Sequence, residues 1–305
     1  MEQELEYTNC NLCGRDDYRI LYKRTVSQEE EKQSDNYRIT SNYVYKFGQV
    51  VKCSHCGLVY VNPRVKEKEI ESIYHDMADE EYNNEMEHRK ITFKKALKRI
   101  GALKKCGKIL DVGCATGLLL DVARERGWDV YGVEISKWAV DCARNKFGLK
   151  NIFQGHLKEA RLPSGYFDVV VLNDIIEHLT DPGETLAEIR RVLKPDGIIC
   201  ITTPDMDSFL SHLTRSRWWS IMIAHLYYFS RHTLSDMLAK SGFEVIRIST
   251  YGRVFSLRYL IVRLKNYSKP LFLFLNFVAR RFKLSGKLIY VNFGDQMFVL
   301  ARKRA

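Results

Sequence analysis

From Lys108 onward the apolar positions come in short runs separated by helical patterns: "KILDVG", "LLLDVARERG", "DVYGVEI", "AVDCARNKFG", "NIFQG" and "FDVVVLND". Short apolar runs bounded by turn residues predict buried strands, and the amphipathic stretches between them predict helices. Such alternation implies a parallel sheet covered on both faces. The pattern continues through "TLAEIRRVLKPDG" and "IICITTP", where Asp181-Pro182 starts a helix and Pro195-Asp196-Gly197 makes a turn. "TLSDMLAKSGFEVIRIST" reads as a helix, a glycine stop and a strand. "KLIYVNFGDQMFVLARK" then reads as a hairpin or final strand pair, with an antiparallel last strand added at the sheet edge.

Ahead of this domain, residues 1–65 carry two Cys pairs joined by a polar, Tyr-rich stretch. Residues 66–107 read as a helical connection, with Ile70, Ile73 and Tyr74 at helical spacing and "ITFKKALKRI" as a basic amphipathic run. The third division is 108–305, with a basic, aromatic insertion at about 252–287.

Composition, 46% hydrophobic and 28% charged over 305 residues, excludes a disordered chain and fits one large core with a small satellite. The acidic start "MEQELEYTNC" lacks the basic and apolar regions of an export signal, so a cytoplasmic location is expected. The eight cysteines then read as thiols or metal ligands and not as disulfides. Twelve of the Lys/Arg residues and one acid, Asp295, lie from Arg253 to the end, so the net charge of +11 belongs to that tail.

The first strand-to-helix turn is "DVGCATG", 111–117. A dinucleotide fingerprint would need glycines where Ala115 and Leu118 stand, and a phosphate loop would need Gly-Lys-Ser/Thr. An acid facing the turn repels a pyrophosphate but suits an ammonium group, and Glu134, at the end of the next strand, suits a ribose. The turn is built for an adenosine joined to a cation. Here the sequence resembles the class I S-adenosylmethionine-dependent methyltransferases over roughly 84–250, through "DVGCATG", Glu134, "FDVVVLNDIIEHLTDP" and "VLKPDGIICITTP". The resemblance implies a Rossmann-like, doubly wound, mostly parallel α/β sheet. It also implies that Asp111, Gly113 and Gly117 line the methionine side, that Glu134 holds the ribose, that His156 and Leu157 lie at the adenine, that Asn173 meets the carboxypropyl end, and that Ile135 and, through its backbone, Cys114 also touch the cofactor.

Methyl transfer to a hydroxyl needs in-line positioning and a nearby base. Asp174, Glu177, His178 and Asp181 crowd the loop after the fourth strand, and "HLYYFSRHTL" offers His225, Tyr228 and His232 after the fifth. His178 and His225 are the candidate bases. Glu177, His178 and His225 are also suitable divalent-metal ligands. "CNLC" (Cys10, Cys13) and "CSHC" (Cys53, Cys56), each followed by Gly, can close a four-thiolate structural zinc site in a zinc-ribbon-like segment. Cys106, Cys114, Cys142 and Cys200 are expected in the core.

With "CGLVYVNPR", the zinc segment resembles the N-terminal segment of bacterial sugar-associated methyltransferases. That resemblance implies methylation of a hydroxyl on a sugar, nucleotide-sugar or lipid-linked saccharide, with C-methylation of a sugar or quinone-like acceptor as the nearest variant. RNA methylation or a nucleic-acid adaptor is the other class, disfavoured because the ribbon region is not basic and no RNA motif is present. For 252–287 the candidate roles are a lid, a homodimer surface, or peripheral contact with an anionic membrane at its inner face.

Overall fold

A computed structural model describes residues 5–38, 45–80, 82, 86–265 and 267–304. The N-terminal part contributes three strands to one antiparallel sheet, β1 (Tyr18–Tyr22), β2 (Val50–Cys53) and β3 (Val59–Val61), besides a two-residue pairing of Leu5–Glu6 with Arg64–Val65, then helices α1 (Glu67–Asp76) and α2 (Met86–Ile100). The face of α2 carrying Phe93, Ala96, Leu97 and Ile100 is buried, as its periodicity requires.

The alternating region forms β4 (Gly107–Val112), α3 (Leu118–Arg124), β5 (Trp128–Glu134), α4 (Lys137–Phe147), β6 (Ile152–Gln154), β7 (Phe167–Asn173), α5 (Pro182–Val192) and β8 (Leu193–Pro204). After a short helix over Phe209–Thr214 come β9 (Tyr227–Tyr228), α6 (Arg231–Lys240) and β10 (Phe243–Thr250). The last part is β11 (Arg253–Ser256), α7 (Leu257–Leu264), α8 (Lys269–Arg281), β12 (Leu288–Val291) and β13 (Gln296–Lys303).

The central sheet runs β10-β13-β8-β7-β4-β5-β6, with β4 to β8 parallel and β13 antiparallel to both its neighbours. Its middle strands read as unbroken apolar runs because helices cover both faces: Ile109, Leu110, Val169, Val170, Leu172, Ile199 and Ile201 are fully buried. Each such side chain contributes roughly 1.5–3 kcal/mol over exposure. Strand order reverses between β4 and β7, and open sheets bind ligands at that reversal, beyond the carboxyl ends of the strands.

Three expectations need correction. Residues 287–303 do not form a hairpin: β12 pairs with β11, Arg253 opposite Val291, and frames the insertion. The antiparallel last strand β13 is not at the edge, because it inserts between β8 and β10. Pro195-Asp196-Gly197 is a register irregularity within β8, where pairing with β7 jumps from Leu193 to Ile198.

The N-terminal segment is sewn into the large domain. Strand β9 extends its sheet, Tyr227 opposite Tyr60 and Tyr228 opposite Val59, and Cys10, Leu58 and Tyr60 share one apolar core with Leu110, Val170 and Ile199.

Candidate active site

The turn from β4 into α3 takes its shape from glycine. Gly113 and Gly117 have φ of 72° and 81°, and a Cβ on them would lie 2.3 Å from Ile175 Cδ1 and 2.5 Å from Leu149 Cδ1. Such contacts leave no room for a side chain. Glu134 closes the turn from β5: its carboxylate accepts from the Ala115 N–H at 2.8 Å and the Ser136 N–H at 2.9 Å. A carboxylate has about four lone-pair sites, so capacity remains for a ribose hydroxyl.

Asp111 is buried, and its Oδ1 has no partner among the described residues. Burial, and secondarily the Glu134 charge, push its carboxyl well above the usual range. An orphaned acceptor beside a glycine turn fits an incoming ammonium group. Cys114 lines the same cavity, but its N–H bonds the Val133 carbonyl and its carbonyl accepts from Gly117 N–H. Ile135 and Leu157 line the cavity too. His156 stands at the rim, half exposed, with Nε2 3.0 Å from Glu71 of α1. Asn173 Oδ1 accepts from the Thr202 hydroxyl at 3.1 Å.

The acceptor side is gathered from distant segments. His178 Nδ1 lies 2.8 Å from the Ala224 carbonyl and 3.1 Å from the Tyr74 hydroxyl. A carbonyl only accepts, so Nδ1 carries the proton and Nε2 keeps its lone pair. Burial lowers the His178 pKa, which keeps the ring neutral at neutral pH. The His225 ring stands edge-on to it at 4.7 Å between centroids, and burial, then the neighbouring His178, drive its pKa well below the ordinary value. Glu177 is buried, and its pKa is pushed up to about 8, chiefly by burial and then by Asp174. Glu177 Oε2 and His225 Nδ1 have no partner among the described residues, and the ligand atoms of Glu177, His178 and His225 lie within 4.8 Å of one another.

Two sequence candidates lie elsewhere. His232 is exposed on α6, 3.4 Å from Asp236, because its helix turns that face to solvent. Tyr228 packs inward, its hydroxyl donating to the Met222 carbonyl. The residue that sequence reasoning missed is Arg253, whose Nη2 binds Asp174 at 2.6 Å and Gln296 at 2.9 Å. Nothing along the chain couples positions 79 residues apart. Asp174 holds φ of 57°, fixed by its N–H bonds to Thr202.

The four Cys sulfurs of the N-terminal segment converge within 4.8 Å, with Cys10 3.4 Å from Cys56 and Cys13 3.5 Å from Cys53. Four thiolates around a zinc ion at about 2.3 Å stand about 3.8 Å apart, whereas a disulfide is about 2.05 Å. Burial opposes ionisation of Cys53, but backbone N–H donors from Cys56 and His55 outweigh it and bring its pKa down to about 7. Cys114 and Cys200 are buried as expected and Cys142 is half-buried. Cys106 is exposed, in the loop before β4.

The cavity holding these groups measures about 1090 Å³. That exceeds the roughly 300–1,000 Å³ usual for one drug-sized ligand and leaves space for two. A reversal-point cavity with a glycine turn, a buried acid and a glutamate at the end of the next strand, over this strand order, defines a class I methyltransferase domain.

Residues 82–248 match the methyltransferase-domain family, more than half of the sequence, and the chain belongs to that family. A protein of Mycolicibacterium smegmatis described as a probable S-adenosylmethionine-dependent methyltransferase is 32% identical over 141 residues, 45% of this chain and 52% of that one. A ubiquinone biosynthesis O-methyltransferase of Azoarcus sp. is 34% identical over 101 residues, 32% of this chain and 43% of that protein. The chain thus spans about half the length of the curated relatives it matches. A crystal structure of an Archaeoglobus fulgidus SAM-dependent methyltransferase superposes with a TM-score of 0.51 at 20% identity, covering 74% of this chain and all of that one, a likeness of fold.

Proposed function

We propose that this protein transfers the methyl group of S-adenosylmethionine to a hydroxyl of a small, saccharide-type acceptor. The observation that carries the reading is that one cavity holds buried polar atoms without hydrogen-bond partners among the described residues at both of its chemical centres: Asp111 Oδ1 beside the glycine turn, and Glu177 Oε2 with His225 Nδ1 beside His178. When bound, S-adenosylmethionine supplies an activated methyl on sulfur. Asp111 would hold the ammonium group, Glu134 the ribose, and Leu157 would pack against the adenine.

On the acceptor side His178 is the base. Its Nε2 would take the proton of the acceptor hydroxyl when that oxygen receives the methyl group the cofactor supplies, while the Ala224 carbonyl fixes the tautomer. Neutral His225 and protonated Glu177 orient the acceptor by hydrogen bonds. The four N-terminal cysteines hold a structural zinc ion. The O-methyltransferase among the relatives supports an oxygen acceptor, and the saccharide class rests on the resemblance of the Cys-pair segment.

The three convergent groups favour a second reading of the acceptor side, in which Glu177, His178 and His225 bind a divalent cation that orients the acceptor oxygen. Activity that depends on added Mg2+ or Mn2+ while thiolate zinc is retained would select it.

The test is calorimetric titration of zinc-assayed protein with S-adenosylhomocysteine, beside Glu134→Gln. Binding by the wild type, at least about tenfold weaker in the variant, with one zinc per chain, is expected. Folded wild type that does not bind overturns the methyltransferase reading.

A further inference from the structure

Residues 253–294 contain nine Lys/Arg and no Asp or Glu. Within them α8 turns Leu273, Phe274 and Phe277 to solvent, at 55%, 62% and 69% exposure. Spacings of one and four residues place the three on one side of the helix, and exposed Lys269, Arg280 and Arg281 border them. Phe282, Tyr290 and Phe293 are exposed as well. A monomer seldom leaves so many large apolar side chains together in water without a partner for them.

Two features narrow what that partner is. Tyr259, Leu260 and Arg263 of α7 line the cavity, as do the exposed Tyr267, between the two helices, and Phe293, and α7 packs on α8, so the cavity opens beside this helix pair. The border is uniformly cationic, so a second copy of the chain meeting the same face would set cation against cation with no acid in the segment to pair them. An anionic lipid surface satisfies both requirements, taking the Phe and Leu side chains among its acyl chains and the Lys and Arg at its headgroups.

We propose that α7 and α8 dock this protein on an anionic bilayer with the cavity mouth facing the lipid, and that the acceptor is an amphiphile whose apolar tail stays in the membrane while its hydroxylated head enters the cavity. The docking stands on the surface alone. The acceptor class rests on the methyl-transfer reading above.

The experiment is sedimentation of the full-length, zinc-loaded protein with phosphatidylcholine vesicles, with and without phosphatidylglycerol. It is run on the wild type, Phe274→Ser/Phe277→Ser and Arg280→Gln/Arg281→Gln, with S-adenosylhomocysteine affinity measured on each. Wild type binds only the anionic vesicles, less at high salt, and slows amide exchange across 267–293. The Phe pair weakens binding at least about tenfold and the Arg pair about 30-fold, with S-adenosylhomocysteine affinity unchanged. Protein that binds S-adenosylhomocysteine but ignores anionic vesicles overturns the docking. A dimer by light scattering that the Phe pair converts to monomer, with no vesicle affinity, assigns the face to a second copy instead. Vesicle binding without S-adenosylhomocysteine binding keeps the docking and overturns the acceptor class.

Discussion

Replacing Asp111 by Asn should move stability and cofactor affinity in opposite directions. The side chain is 3% exposed and one carboxylate oxygen has no partner. Burial, then the Glu134 charge, raises its folded-state pKa well above normal, so the ligand-free fold favours the protonated acid. The unfolded chain releases that proton near about pH 4. Between that value and the raised one the unfolded state binds fewer protons, so stability falls as pH rises. Asn cannot ionise and removes this slope. Near about pH 5 the ligand-free proteins should differ little, and above it Asp111→Asn should gain on the wild type by up to about 1.4 kcal/mol per pH unit until the folded-state carboxyl itself ionises. The same change removes a charge-assisted bond to the cofactor's ammonium group, worth about 1.5–3 kcal/mol, or roughly 10- to 150-fold in Kd. In the wild type, S-adenosylhomocysteine should bind more tightly as pH rises and Asp111 gives up its proton. Denaturant unfolding near about pH 5 and about pH 8, with calorimetry beside it, reads all of these. A variant less stable than wild type near about pH 8, or one with unchanged affinity, would refute the assignment of Asp111.

His178→Gln should lower kcat by about 10²–10⁴ and leave S-adenosylhomocysteine affinity unchanged. Wild-type activity should be lost on the acid side only below the ordinary histidine range, because burial lowers the His178 pKa; a pH–rate profile with an acid limb at or above that range would contradict the role. Gly113→Ala should cost about 2–5 kcal/mol, adding a left-handed residue to a 2.3 Å contact with Ile175, and a loss below about 0.5 kcal/mol in denaturant unfolding would contradict the geometry. Cys10→Ser/Cys53→Ser should abolish stoichiometric zinc and reduce kcat, and full activity in the zinc-free variant would uncouple the segment from the site.

The parallel sheet was legible because its signal is local: a fully buried strand reads as a run of Val, Ile and Leu, and "DVGCATG" can only turn one way. That Asp111, Gly113 and Glu134 converge on one cavity follows from the same locality, since they belong to one strand-helix-strand unit. His156 lines the cavity, and its ring is engaged by Glu71, a contact across 85 residues that no spacing encodes. The two-residue strand β9 has no alternation to detect and exists because β3 offers it an edge. Residues 288–291 looked like the partner of 296–303 because both are β-rich and adjacent, but the edges of β13 are taken by β8 and β10. Basic composition at 252–287 said nothing of Arg253 reaching Asp174.

The four-cysteine segment is tied to the loops around His178 and His225 through a chain of backbone contacts. The Cys53 N–H bonds the Leu58 carbonyl and closes the β2–β3 hairpin, the Val61 N–H bonds the Leu226 carbonyl, and β3 pairs with β9. Arg64 adds a bond to the Thr180 carbonyl at 2.8 Å, and Asn11, between Cys10 and Cys13 of the thiol cluster, bridges Asp181 and the Gly183 N–H at the start of α5. Both loops that carry the candidate bases are therefore held from the same side. Ala224, whose carbonyl sets the His178 tautomer, precedes the paired residues by only three positions. Loosening the thiolate cluster should therefore release that carbonyl before it disturbs Asp111 or Glu134, which hang from β4 and β5. A defect in the cluster should lower kcat while the affinity for S-adenosylhomocysteine stays near that of the wild type.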